Sequence, residues 1–120
     1  KRVNDSYGHA AGDEVIRKVA RATLATVRGC DIVGRIGGEE FAIVLPGASL
    51  ADAYGVCERV RDRVNNEVIE LSGGQALSVT ISTGIARLSP EDTQQTLMAR
   101  ADDALYEAKH GGRDQVRLAA

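Results

Sequence analysis

The residues best suited to chemistry sit in one run, Gly37-Gly38-Glu39-Glu40. Two adjacent glycines remove side chains and leave bare backbone that a ligand can approach closely. Two carboxylates follow at once. A carboxylate beside bare backbone suits a Mg²⁺ ion that carries phosphates, because Mg²⁺ takes oxygen ligands and keeps several waters. Strand alternation would send Glu39 and Glu40 to opposite faces, so that one of them addresses a given ligand. The same run also suits a plain hairpin turn with solvated glutamates, and composition does not choose between the two. Other reactive residue types are sparse. Cys30 and Cys57 lie far apart with no metal-ligand spacing and read as small packing residues. His110 reads as a solvated helix end. The aromatics are Tyr7, Phe41, Tyr54 and Tyr106, too few for a platform that stacks single-stranded bases.

The run must be held by a hairpin. Ile32 to Ile36 and Glu39 to Leu45 are two β-rich stretches joined across Gly37-Gly38, and Pro46-Gly47 ends the second. Before them, Val15, Ile16, Val19, Ala20, Thr23, Leu24 and Val27 recur at helical spacing, with Arg17, Lys18 and Arg21 outside that face. After them, Ser49 and Asp52 resemble a capping box that opens a helix burying Ala53, Val56, Cys57, Val60 and Val64. A second hairpin is predicted from 67–71 and 77–86, where Leu77, Val79 and Ile81 alternate with Ser78, Thr80 and Ser82. A third helix is predicted from Thr93 to Lys109, burying Leu97, Ala101, Ala104, Leu105 and Ala108 and stopped by Gly111-Gly112. Gln115 to Leu118 adds a short edge strand. The order predicts an α+β sandwich, with helices flanking an antiparallel-rich sheet.

Composition narrows the function classes. The chain has 120 residues, is 43% hydrophobic, and carries 15 Lys+Arg against 17 Asp+Glu for a net charge of −2. This length suits one domain with a modest core. The near-neutral balance provides no global field for gripping DNA or RNA. No apolar run reaches the ~18–20 residues of a membrane span, which predicts no membrane contact by this domain. Two cysteines suit a reducing cytoplasm.

Four separated blocks then resemble one family. Gly37-Gly38-Glu39-Glu40-Phe41 resembles the signature of the GGDEF family, the diguanylate cyclases, in its Glu-for-Asp variant. Lys1-Arg2-Val3-Asn4-Asp5 with Tyr7-Gly8-His9 and Gly12-Asp13 resembles its K-x-x-N-D-x-x-G-H-x-x-G-D segment. Ser82-Thr83-Gly84-Ile85-Ala86 is similar to its S-x-G-x-A strand. Ala101 to Lys109 with Gly112-Arg113 is similar to its closing helix. The resemblance implies a ferredoxin-like, palm-like fold that condenses two GTP molecules into cyclic di-GMP with release of pyrophosphate. It implies a homodimer for catalysis, because each domain holds one GTP, and Mg²⁺ or Mn²⁺ as cofactor.

By resemblance, Asn4 and Asp13 match the guanine readers; a carboxylate can accept from guanine N1–H and N2–H. Gly37 and Gly38 line the substrate. Glu39 matches the metal ligand and proton acceptor, and Glu40 the second acidic, metal-side position. Lys109 and Arg113 match phosphate contacts, although cations at a helix C-terminus also answer its dipole. Lys1 matches a lysine that stabilises the transition state. Arg28 and Asp31 form an R-x-x-D pair which, with Arg59, matches the family's inhibitory site for cyclic di-GMP. Guanidinium forks suit phosphates and guanine edges alike; an ordinary surface ion pair is the plainer reading.

Three readings follow. The first is a diguanylate cyclase module. In the family a first strand and an upstream helix would precede Lys1 and bring a metal-binding aspartate, so the 120-residue piece is expected to be a partial domain, inactive by itself. The second is a regulatory module that binds GTP or cyclic di-GMP without turnover. The third is a stub that exchanges strands to dimerise.

Overall fold

The computed structural model describes residues 9–71, 74 and 76–119, with the side chains of His9 and Ala10 left aside. The chain divides into two compact units, residues 1–47 with 63–79 and residues 48–62 with 80–120.

In the first unit, α1 runs His9–Thr26. Its periodic apolar positions are mostly covered. Thr23 is buried, its hydroxyl donating to the Val19 carbonyl at 2.8 Å, and Val15, Ile16, Val19 and Ala20 are half-buried. Leu24 departs from the predicted face and is exposed, whereas Ala11 and Ala22 are buried. The hairpin follows as β1 (Ile32–Gly37) and β2 (Glu40–Val44), antiparallel, with Ile32 opposite Val44 and Gly37 opposite Glu40. The short strands β3 (Ile69–Glu70) and β4 (Ala76–Leu77) pair antiparallel. Ile69 and Leu71 bury against Ala11, with Val15, Leu77 and Val79 packed around them.

Between the hairpin and β3 runs α2 (Leu50–Asn65), opened by the Ser49 hydroxyl, which accepts from the Asp52 amide at 3.1 Å. Ala53, Val56, Cys57, Val60 and Val64 are all buried, as its periodicity predicts.

The second unit holds β5 (Thr83–Ile85), α3 (Gln94–His110) and β6 (Val116–Leu118). β5 and β6 are parallel, as a strand–helix–strand connection allows. Ile85, Ala104, Ala108 and Val116 are buried. Gly84 has a packing role: a Cβ there would lie 2.3 Å from the Ala101 carbonyl oxygen and the Leu105 nitrogen. The helix backbone therefore rests directly on the strand, which explains the glycine of the Ser82–Ala86 block. Thr93 caps α3, in a reciprocal box with Thr96.

The predicted strand 77–86 is divided. Leu77, Val79 and Ile81 are half-buried while Ser78 and Thr80 are exposed, so the alternation is present. Ladder pairing is nonetheless confined to Ala76–Leu77 and Thr83–Ile85 among the described residues. Overall this is a mixed α+β chain of small sheets and flanking helices.

Candidate active site

The tip of the β1–β2 hairpin is built differently from its sequence expectation. The register shifts between Arg35 and Gly37, so Ile36 lies in a bulge and the turn residues are Gly38 and Glu39. Glu39 therefore sits in the turn itself, and Glu40 begins β2. Strand alternation does not govern Glu39, which corrects the expectation that the two carboxylates take opposite faces. Gly37 has φ 157° and Gly38 φ 49°. A Cβ at either would meet no atom within 4 Å, so conformation is what requires glycine within the chain. The space above the backbone is open to a ligand.

An arginine that sequence reasoning passed over fixes this turn. Arg35 donates to the Gly38 carbonyl through Nε at 2.9 Å and Nη2 at 2.6 Å. The signal was available, an arginine two residues before the paired glycines. Glu39 and Glu40 are both exposed and adjacent. Their hard oxygen donors fit Mg²⁺ in type. No group of three or more His, Cys, Asp or Glu side chains that could hold a metal occurs among the described residues.

Asp13 is exposed on the second turn of α1. Lys1 and Asn4 lie outside the described residues. Lys109 is in the last turn of α3, and Arg113 follows in the exposed turn after it, with φ 60°.

Arg28 and Asp31 are brought together. Nη2 of Arg28 reaches Asp31 Oδ1 at 2.7 Å, Nε lies 3.1 Å from both carboxylate oxygens, and the Arg28 amide donates to Oδ2 at 2.7 Å. These bonds hold the Asp31 carboxyl below the usual range, the Arg28 side chain contributing most. The Asp31 side chain is fully covered, while Arg28 remains half exposed. Arg28 also donates to the Pro46 carbonyl at 2.9 Å, tying the pair to the end of the hairpin. Arg59 is exposed on α2, in the second unit.

Comparison with known proteins decides the family. The sequence matches the profile of the diguanylate cyclase, GGDEF domain, over residues 1–115. The chain belongs to the GGDEF family. This GGDEF chain is 42% identical over 118 residues to the response regulator PleD of Caulobacter vibrioides, covering 97% of the chain and 26% of that relative. It is 40% identical to the diguanylate cyclase DosC of Escherichia coli, covering 98% of the chain and 26% of that relative. The chain therefore spans about a quarter of the length of these curated relatives. Among solved structures, the diguanylate cyclase SiaD of Pseudomonas aeruginosa, crystallised with its activator SiaC, superposes with a TM-score of 0.93 at 44% identity, over 98% of this chain and 45% of that one. The GGDEF domain of DgcB from Caulobacter crescentus, in complex with c-di-GMP, gives a TM-score of 0.92 at 34% identity, over 98% of this chain and 70% of that one. The palm-like α+β fold expected from the motif blocks is thus the fold of this GGDEF chain. No described helix is long and apolar enough to cross a membrane.

Proposed function

We propose that this GGDEF chain is the catalytic module of a diguanylate cyclase. The observation that carries the reading is the hairpin tip, where open glycine backbone adjoins two exposed carboxylates in the family's signature position. In the reaction, the 3′-hydroxyl of one GTP attacks the α-phosphorus of another. A new P–O bond forms, the bond to the β,γ-pyrophosphate breaks, and the hydroxyl proton passes to a base. Two such steps close cyclic di-GMP and release two pyrophosphates. Phosphoryl transfer of this kind depends on positioning and charge neutralisation.

Glu39 accepts the proton and, with Glu40, would hold Mg²⁺, which when bound neutralises charge on the phosphates. Gly37 and Gly38 let the phosphates approach the backbone. Asp13 and Asn4 read the guanine edge, Lys109 and Arg113 grip the phosphates, and Lys1 offsets charge that develops at the reacting phosphorus. Each domain holds one GTP, so a homodimer is required. GTP as substrate sets the work in the cytoplasm. Arg28 and Asp31, with Arg59, bind cyclic di-GMP and restrain turnover. The DgcB complex with c-di-GMP supports product binding by a domain of this fold.

The test is incubation of the full-length protein with GTP and Mg²⁺, with products resolved by chromatography. Cyclic di-GMP should accumulate and Glu39→Ala should abolish it. Nucleotide binding without any product would support a regulatory module in place of the enzyme, whereas turnover that survives Glu39→Ala would remove Glu39 from the reaction.

A further inference from the structure

Arg113 and Asp114 are the non-glycine residues with positive φ among the described residues, at 60° and 46°. Aspartate tolerates the left-handed region better than most residues, whereas arginine has no such ease. Two in succession persist only where surrounding contacts over-determine them. Those contacts are present on every side. The Arg113 amide donates to the Ala108 carbonyl at 2.9 Å. The Gln115 side-chain amide donates to the carbonyls of Gly111 at 2.9 Å and Arg113 at 3.1 Å.

The remaining hold comes from far away in sequence. Arg61 on α2 places Nη1 3.0 Å from Asp114 Oδ1 and 3.4 Å from the Asp114 carbonyl oxygen. Its Nη2 and Nε are engaged by Glu58 Oε2, at 2.7 and 3.2 Å, so the guanidinium is itself oriented by its own helix. These bonds lie in a partly buried position, where Arg61 is 25% and Asp114 38% exposed. The cluster also settles a question of charge. Asp114 puts a carboxylate next to Arg113, where it would oppose an incoming phosphate, and Arg61, shared with Glu58, offsets part of that charge.

We propose that Arg61 is a positioning residue: through Asp114 it holds the left-handed turn that presents Arg113, and it offsets the Asp114 charge beside the triphosphate. The proposal rests on Arg113 as a phosphate contact, as read above.

The experiment is calorimetric titration of the full-length protein with Mg²⁺·GTP, each variant first checked for a native circular-dichroism spectrum. Arg61→Met keeps the aliphatic stem and removes the guanidinium, and should weaken binding about five-fold, the scale of a partly exposed ion pair. Adding Asp114→Asn to Arg61→Met should restore most of the affinity, because asparagine accepts the left-handed turn without the charge. In an Arg113→Ala background that also carries Asp114→Asn, Arg61→Met should have no further effect, an outcome that general structural damage would not produce. Affinity that falls with Arg113→Ala but not with Arg61→Met overturns the proposal alone. Affinity indifferent to Arg113→Ala overturns the phosphate reading and the proposal with it.

Discussion

The Arg35 guanidinium closes back on the Gly38 carbonyl oxygen, three residues ahead, with both Nε and Nη2 within 3 Å. The hairpin turn is thereby held from inside by a charged fork. Glu39 follows Gly38 directly, so the fork fixes the peptide from which one of the candidate catalytic carboxylates projects.

Arg35→Ala should therefore loosen the tip without unfolding the strands. Loss of an exposed, charge-assisted bond is expected to cost about 1 kcal/mol in chemical denaturation. Hydrogen exchange should quicken at Gly38, Glu39 and Glu40 and stay unchanged in α3. Equal quickening in both regions would mean that Arg35 supports the whole fold and not the turn.

Glycine has opposite uses at Gly38 and Gly84, and alanine separates them. At Gly38 the space is open and φ is 49°, so Gly38→Ala should cost about 1 kcal/mol, the penalty of left-handed backbone alone. At Gly84 the added Cβ would lie 2.3 Å from helix backbone atoms, which no rotamer can relieve. Gly84→Ala should cost about 3 kcal/mol or more, as overpacking does. Urea midpoints for the two variants check the order. Similar losses would refute the packing role assigned to Gly84.

Local patterns carried much of this fold into the sequence. The five predicted core positions of α2 are all buried, because an amphipathic helix encodes its face within a few turns. The α1 face is less faithful: Leu24 is exposed and Ala22 buried, since which flank of an apolar stripe is covered depends on what packs against it. Alternation over 77–81 survives in the burial, and the predicted hairpin partner is present where Ile69–Glu70 pairs with Ala76–Leu77; the pairing of Thr83–Ile85 with Val116–Leu118 was not legible, because it is non-local. The bulge at Ile36 moved Glu39 into the turn, a one-residue shift that hydrophobic pattern does not register. For the candidate site, the motif run named the glycines and carboxylates. It could not reveal Arg61 on Asp114, partners 53 positions apart.

Acid should expose the role of Asp92. Its carboxylate accepts from Arg100, from the Ser89 amide at 2.8 Å and from the Thr96 hydroxyl at 2.9 Å. Arg100 contributes most to lowering its pKa from 3.8 to about 2. A folded-state pKa below the unfolded one means that the stabilisation is fully present above 3.8 and is lost as pH falls through about 2. Thermal midpoints of the native chain and Asp92→Asn should differ at about pH 5 and converge near about pH 2. A gap that stays constant across that window would remove Asp92 from the acid response.

The two thiols should behave differently toward an aromatic disulfide reagent. Cys30 is exposed, whereas Cys57 is buried and its thiol is pushed up to about 11, chiefly by burial and further by Glu58. One thiol per chain should react in the native state near about pH 8, and the second only on unfolding. Cys30→Ser should abolish the native reaction. Fast labelling that persists in Cys30→Ser would show that α2 opens readily.

The last prediction concerns Arg28, whose guanidinium is shared between a fully covered Asp31 carboxylate and the Pro46 carbonyl. An arginine so oriented presents its exposed edge in a fixed direction, which lowers the entropy lost when a phosphate docks. If the R-x-x-D pair receives cyclic di-GMP, Asp31→Ala should weaken product binding although aspartate offers a phosphate nothing. The loss should approach that of Arg28→Ala, about ten-fold or more for a charge-assisted contact. Turnover of GTP at low product should be unchanged in both variants, because neither residue is at the hairpin tip. Calorimetry with cyclic di-GMP reads the first effect and initial rates the second. Product affinity that survives Asp31→Ala but not Arg28→Ala would mean that the ligand, and not Asp31, orients the arginine.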